Sequence, residues 1–176
     1  MYLTSLLLTF CFAFVSFWQT AETYSHTALV SYYQKAAKDE AIAKEFHGLM
    51  ARYKGKDPLK LGYKAVSNAI MAKHAWSPYN KIKYLRASAE DFEQAVALDK
   101  TDPEVRFLRY SIEYNIPRYL NMSHHLEDDK KIFMAAMLRH PRSGIPVESM
   151  KIMRDYLLRK DLVSGDERRR VENLNL

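Results

Sequence analysis

The chain has 176 residues, of which 48% are hydrophobic and 27% are charged, and its formal net charge is +6. This composition excludes an intrinsically disordered chain, and the length is sufficient for one domain with a substantial core. Five glycines, and no Asn-Gly or Asp-Gly turn between alternating apolar residues, argue against a hairpin-rich β architecture.

The first 21 residues form an apolar segment that differs from the rest of the chain. Residues 1–21 carry no charged side chain, and residues 6–18 are almost entirely apolar. This length is typical of the hydrophobic region of a signal peptide and is short for a membrane span. We expect residues 1–21 to be a signal peptide cleaved after Ala21, with an uncleaved N-terminal anchor as the alternative. The expected location is therefore the periplasm, the cell envelope or the extracellular space.

Residues 22–176 are expected to form a single all-helical domain. The one cysteine, Cys11, precedes this domain, so a processed chain has no thiol for a disulfide, a metal site or a nucleophile. Apolar residues then recur at helical spacing in stripes, which is typical of helices that pack on a core. The first two stripes comprise Leu29, Tyr33 and Ala36, and then Ile42, Phe46, Leu49 and Tyr53.

Three helix starts share one signal, which is a capping side chain followed by proline. The capping side chain accepts a hydrogen bond from a free backbone N–H, and proline is tolerated at the first helical position because its missing N–H is not needed there. The prolines are 20 and 25 residues apart, which is one helix and one turn each, so consecutive helices are predicted to be antiparallel. The predicted fold is all-α, with about seven to nine helices stacked as antiparallel hairpins. The three starts are Asp57-Pro58, Ser77-Pro78 and Asp102-Pro103.

The helix that begins at Pro58 has one face of small residues at helical spacing. Because small side chains let a neighbouring helix approach closely, we expect another helix to pack on this face. The helix that begins at Pro78 is expected to turn a second set of residues inward. The small residues are Gly62, Ala65, Ala69 and Ala72, and the inward residues are Ile82, Leu85, Ala89, Phe92 and Val96.

Further helices are predicted after Pro117, which ends the central helix. Ser123 is expected to cap the next helix, whose first turn holds three acids in the position that the helix dipole favours. Ser164 and Glu167 match a capping box at the start of the last helix. The polar tail, residues 168–176, is expected to fray. The three acids are Glu127, Asp128 and Asp129.

The central helix, which begins at Pro103, is apolar around most of its circumference, and this is typical of a buried helix. Arg106 and Arg109 lie within it, where an unpaired guanidinium group would be costly. The next helix can fold back across this one. We therefore predict that at least one of these two arginines pairs with a carboxylate of Glu127, Asp128 or Asp129.

Two resemblances extend these expectations. The run FEQAVALDKTDPE, with Phe92, Ala95, Leu98 and Pro103, is similar to the second helix and exit turn of a tetratricopeptide repeat. The runs LGYKAVSNAIMAKHAWSPYNKIKYL, DPEVRFLRYSIEYNIPRYLN and EDDKKI resemble a family of small exported bacterial all-helical proteins. The first implies tetratricopeptide-like stacking of hairpins, and the second implies export and a polar cluster with a structural or partner-binding role. That cluster comprises Arg106, Arg109, Asn115, Glu127, Asp128 and Asp129.

The sequence offers little support for catalysis or for a bound metal. His124 and Asp128 are four residues apart and suggest a metal site, but a helix start with acids in its first turn accounts for the same residues. The sequence contains no GxSxG elbow, no P-loop and no GxGxxG motif. We therefore expect no catalytic residue, no metal and no cofactor, and leave open whether His124 and His125 do more than start a helix.

The sequence thus predicts a non-catalytic interaction module, secreted or in the cell envelope, that holds a protein or peptide in a groove between hairpins. One alternative is a small hydrolase or metal-dependent enzyme with an unrecognised site, and another is a binder of anionic envelope surfaces. Residues 168–170 are arginines in an acid-flanked helix without a nucleic-acid-binding motif, so no nucleic-acid partner is expected. Membrane association is expected only through an uncleaved N-terminus or weak electrostatics.

Overall fold

The computed structural model of the chain describes residues 24–176. The expected signal peptide, residues 1–21, lies outside the described residues. Within residues 24–176 there are eight α-helices, one 3-10 helix and no strand, so the all-α prediction is confirmed. None of these helices is both long enough and apolar enough to cross a membrane. They are α1 (His26–Ala36), α2 (Glu40–Ala51), α3 (Pro58–His74), α4 (Pro78–Leu98), α5 (Pro103–Glu113), the 3-10 helix (Arg118–Leu120), α6 (Leu126–Met137), α7 (Val147–Arg159) and α8 (Gly165–Glu172).

The three helix starts that contain proline form as predicted. The side chains of Asp57, Ser77 and Asp102 each accept hydrogen bonds from backbone N–H groups two or three residues further on, at 2.9 to 3.2 Å. Each following proline occupies the start of its helix. These local signals set the beginnings of α3, α4 and α5 without help from distant residues.

Two other predicted caps are wrong. The hydroxyl of Ser123 donates to the carbonyl of Glu113 at 2.7 Å and does not cap α6. This helix begins after His125, and the side chain of His125 makes no capping hydrogen bond either. The last helix starts at Ser164 as predicted, since Ser164 is the N-cap residue of α8, but its side chain makes no capping hydrogen bond. Glu167, its expected partner, instead accepts a hydrogen bond from Nζ of Lys130 at 3.1 Å. In both places a bond to another part of the chain replaces the local one.

The core has two main clusters, and α5 contributes to both. Leu108 packs into the first cluster with side chains of α1, α2, α3 and α4. Phe107 and Tyr110 pack into the second with side chains of α6, α7 and the C-terminal segment. The central helix is therefore buried, as its sequence predicts. Val171 of the tail is fully buried in the second cluster, so the expected fraying at that position is wrong.

The small-residue face of α3 is buried and lets α5 approach closely. A Cβ atom built on Gly62 lies 3.4 Å from Cδ1 of Leu108 and 3.5 Å from Cγ2 of Val105. These distances leave room for one methyl group and for little more. By contrast, Ala89, which is expected to face inward on α4, is exposed. It borders a cleft rather than the core.

Gly62→Leu is predicted to lower the free energy of unfolding by about 1–3 kcal/mol, because a larger side chain would overpack the contact between α3 and α5. Gly48→Leu is the matched control, since a Cβ at Gly48 in α2 meets no atom within 4 Å. The control should keep or raise the stability, because leucine favours the helix by up to about 1 kcal/mol over glycine. Urea unfolding followed by circular dichroism measures both. Equal losses for the two variants would contradict the close approach.

The packing also predicts a loss of stability at alkaline pH. Burial raises the pKa of four tyrosines above the ordinary value of 10.0, in the case of Tyr110 to about 12. Their neutral forms therefore contribute stability that is complete below the unfolded pKa and is lost as pH rises through the folded pKa. The four are Tyr33, Tyr63, Tyr110 and Tyr156.

We expect the unfolding midpoint in urea to fall steadily as pH rises above about 10. Tyr156→Phe removes one buried phenol and should make this fall shallower. Tyr79→Phe changes a side chain that is mostly exposed and should leave the slope unchanged. A midpoint that is flat between about pH 9 and pH 12 would contradict the prediction.

Candidate functional site

A buried carboxylate joins α5 to α6. Asp129 of α6 is completely buried, and both arginines of α5 donate to it. Nη1 of Arg106 lies 2.8 Å from Oδ1, while Nε and Nη2 of Arg109 lie 2.8 Å from Oδ2 and Oδ1. The predicted ion pair is therefore present, and it involves both arginines. Glu127 and Asp128 are exposed and do not take part in it.

Helix geometry explains why these three side chains meet. Arg106 and Arg109 are three residues apart on α5, so they project from the same side of the helix. Asp129 and Phe133 are four residues apart on α6 and share its buried side. The rotation of α6 that buries Phe133 therefore also brings Asp129 to the arginines and leaves the two neighbouring acids in solvent.

The other nitrogen atoms of the two guanidinium groups also donate hydrogen bonds. Nε and Nη2 of Arg106 donate to the carbonyl of Lys100, at 3.0 and 2.5 Å. Nη1 of Arg109 donates to Oε1 of Glu93 on α4, at 3.0 Å. Burial alone would lower the pKa of Arg109, but its hydrogen bonds to Asp129 and the nearby negative charges raise it above the ordinary value. Arg109 thus stays charged and ties α4, α5 and α6 together.

Glu113 performs the capping role that the sequence suggested for Ser123. Glu113 is the last residue of α5 and is buried, and its Oε2 accepts the backbone N–H of His125 at 2.9 Å. Its Oε1 lies 2.7 Å from Nδ1 of the His125 ring. The other ring nitrogen, Nε2, lies 3.5 Å from Oε1 of Glu93. The imidazole is therefore held in one orientation between two carboxylates.

Glu93, Arg109, Glu113 and His125 form one wall of a cleft of about 220 Å³ between α4, α5 and the segment that precedes α6. Most of the remaining lining is apolar. This is the pattern of a binding site, in which an apolar surface surrounds a few convergent polar groups. The apolar side chains include Leu85, Ala89, Phe92, Ile112, Ile116 and Met122.

Ser88 lines the same cleft and has an unused hydroxyl group. Its exposure is 2%, and its Oγ makes no hydrogen bond within residues 24–176. A buried polar group without a partner is costly, by about 1–3 kcal/mol. Such a group is consistent with a ligand that supplies the missing hydrogen bond.

The structure separates the other residues of the expected polar cluster. Asn115 is exposed and donates from Nδ2 to the carbonyl of Ser111 at 2.7 Å and to the hydroxyl of Tyr156 at 3.1 Å. It therefore links α5 to α7 and does not reach Asp129. Ser88, Glu93 and Glu113 belong to the site but were not among the expected residues. Of these three, only Glu113 could have been predicted from the sequence. It lies four residues after Arg109 on a buried helix, so the two side chains share one face.

A second polar cluster contains a serine, a histidine and a glutamate, but its geometry differs from that of a catalytic triad. Nε2 of His26 lies 2.9 Å from Oε1 of Glu104 and 3.1 Å from Oγ of Ser149, and this hydroxyl lies 2.5 Å from the same Oε1. A triad needs the hydroxyl on one ring nitrogen and the carboxylate on the other. The cluster instead joins the starts of α1, α5 and α7.

In the part of the chain that the structure describes, no group of three or more His, Cys, Asp or Glu side chains is arranged to hold a metal ion. The rings of His124 and His125 lie 6.3 Å apart at right angles, and Asp128 points to solvent at the edge of α6. Comparison of the chain with protein-family models, with curated proteins and with solved structures finds no match.

Arg109→Ala is predicted to lower the free energy of unfolding by about 3–5 kcal/mol, because it removes two hydrogen bonds from a buried carboxylate. Glu93→Ala is the control on the same arginine, since the Glu93 side chain is 60% exposed and its pair should contribute less than about 1 kcal/mol. Urea unfolding at neutral pH measures both values. A loss below about 1 kcal/mol for Arg109→Ala would show that Asp129 does not depend on it.

Proposed function

We propose that the protein is a non-catalytic interaction module and that it holds a protein or peptide partner in the cleft between α4 and α5. The observation that supports this most directly is the buried hydroxyl of Ser88, which lacks a hydrogen-bond partner among the described residues and lines an otherwise apolar cleft. A bound partner would cover the apolar lining and supply that bond.

The size of the cleft favours one side chain of a larger partner over a free small molecule. Its volume is about 220 Å³. Small-molecule sites typically occupy about 300–1,000 Å³. Protein interfaces, in contrast, commonly depend on a few anchor side chains that fill small desolvated pockets. The partner is thus proposed to insert an apolar anchor beside Phe92 and Ile112.

The rim of the cleft suggests what lies beside that anchor. The carboxylate of Glu93 is held by Arg109 through one oxygen, and its side chain is 60% exposed. It can therefore accept a hydrogen bond from a lysine, an arginine or a backbone N–H of the partner. The ring of His125, fixed by Glu113, gives a second oriented polar contact on the same side.

The wall of the cleft is rigid before any partner arrives. The bonds from Arg106 and Arg109 to Asp129 fix α6 on α5, and the bonds of buried Asp91 to α3 fix α4. A preformed wall reduces the entropy that is lost on binding. The tetratricopeptide-like stacking of hairpins, with the cleft as the groove between two of them, and export to the cell envelope or beyond are further parts of this proposal.

A hydrolase is the second candidate function, since Ser88 and the oriented imidazole of His125 line the same cleft. A nucleophilic serine should donate a hydrogen bond to its base, and the Ser88 hydroxyl makes no such bond within the described part of the chain. Binding is therefore the preferred function. Hydrolysis of model esters that disappears in Ser88→Ala, with unchanged stability, would favour the hydrolase instead.

Panning of a random-peptide library on the protein tests the binding function. We expect enriched peptides to share an apolar residue close to a lysine or arginine, as the lining of the cleft requires. Ala89→Trp should weaken their binding by at least about tenfold, because the indole ring would fill the cleft from its exposed edge.

Ala97→Trp is the matched control, since Ala97 is an exposed alanine further along α4 that does not line the cleft. It should bind the peptides as the unchanged protein does, and both variants should keep the unchanged melting temperature. Failure to enrich any common motif, or equal binding by Ala89→Trp, would contradict the proposed function.

A further inference from the structure

Two protruding aromatic side chains lie at the junction of α3 and α4, Trp76 in the turn and Tyr79 in the first turn of α4. Trp76 is 99% exposed and Tyr79 is 76% exposed. Neither contributes to the packing between the two helices. Exposed large apolar side chains that occur together mark surfaces that contact something else.

Basic side chains lie at the same junction of α3 and α4 as these two aromatic residues. Lys83 and Arg86 follow Tyr79 at helical spacing on α4, and together they line a shallow groove with Ile82. Lys81 is exposed on the first turns of the same helix, and Lys73 is exposed at the end of α3. We call this surface the aromatic–basic tip, and it comprises Trp76, Tyr79, Lys73, Lys81, Lys83 and Arg86.

The positive charge of the tip is largely uncompensated. None of its four basic side chains forms a salt bridge within residues 24–176. One carboxylate, Glu90, lines the far end of the groove. The segment after α1 brings charges of both signs nearby, because Nζ of Lys73 donates to the carbonyl of Ala37, which precedes Lys38, Asp39 and Glu40.

We propose that the aromatic–basic tip binds the surface of a lipid bilayer that carries anionic headgroups. Tryptophan and tyrosine favour the interface between headgroups and acyl chains, because their rings are apolar and their N–H and O–H groups remain hydrated. Lysine and arginine near the surface are attracted to the lipid phosphates, and each strengthens binding by about fivefold. A tryptophan that stands clear of the protein can enter a fluid interface without a preformed pocket.

This contact is independent of the proposed peptide binding. The groove of the tip and the cleft both use the middle of α4, but they share no lining residue. A protein bound to the bilayer through Trp76 and Tyr79 can therefore keep the cleft accessible. When Trp76 and Tyr79 contact the bilayer, the C-terminal end of α3 lies against it. The N-terminal end of α3, near Asp57, then points away from the bilayer.

The test uses the full chain with Trp18→Phe, which leaves Trp76 as the single tryptophan. The protein is mixed at low salt with phosphatidylcholine vesicles in which one third of the lipid is phosphatidylglycerol. We expect the emission of Trp76 to shift to shorter wavelength and its quenching by acrylamide to fall. Pure phosphatidylcholine vesicles should give a weaker response, and salt near 1 M should reverse it, because the Debye length is then only about 3 Å.

Matched charge variants separate the tip from the net charge of the protein. Lys81→Gln, Lys83→Gln and Arg86→Gln together should weaken binding to the anionic vesicles by about 100-fold. Arg52→Gln, Lys54→Gln and Lys56→Gln remove the same charge from exposed positions near the other end of α3, about 25 Å away, and should change binding much less. All six side chains are exposed, and circular dichroism checks that both variants fold.

Three results would overturn the proposal. In the first, Trp76 keeps the emission of a water-exposed indole in the presence of anionic vesicles at low salt. In the second, the control variant loses as much binding as the tip variant, which would assign the attraction to net charge alone. In the third, soluble polyglutamate protects Trp76 as strongly as the vesicles do, which would assign the tip to acidic polymers and not to a bilayer.

Discussion

The carboxylate of Asp129 lies completely out of water, and the contact between α5 and α6 depends on how it is satisfied. Burying an ionised carboxylate costs several kcal/mol, which excellent geometry and additional hydrogen bonds must offset. The guanidinium group of Arg109 donates a hydrogen bond to each oxygen of the Asp129 carboxylate, and Arg106 donates one more. Apolar side chains could fill the same space, but they would lack the directional bonds that the two arginines make to one carboxylate. We infer that the buried charges fix the register between the two helices.

This arrangement assigns a separate role to each side of α5. Leu108 faces the first cluster of the core, and Phe107 faces the second. The arginines and Glu113 face α4 and the start of α6. Because α4 packs mainly on α3 and only sparsely on α5, part of this polar side stays open. The cleft is the result, and its charged wall is built from the same groups that hold the fold together.

The sequence predicted what depends on local signals and missed what depends on the rotation of distant helices. The starts of α3, α4 and α5 need only a capping side chain and a proline, so they were predictable. The pairing of Arg109 was predictable because a buried guanidinium needs a carboxylate. Which of three adjacent acids pairs with it depends on how α6 rotates on the core. The cap from Glu113 comes from 12 residues away, and a helical serine such as Ser88 has no distinguishing pattern.

The rigidity of α4 connects the cleft with the aromatic–basic tip, since both surfaces lie on this one helix. A helix of 21 residues with two open faces needs firm attachment along its remaining face. Asp91 provides it, because this buried carboxylate accepts hydrogen bonds from Lys64 at 2.7 Å and from Asn68 at 2.9 Å, both on α3. His47 of α2 extends this network through a contact of 3.1 Å with Asn68. Asp91 thus secures α4 on α3 as Asp129 secures α6 on α5, and the tip and the cleft both lie on this one anchored helix.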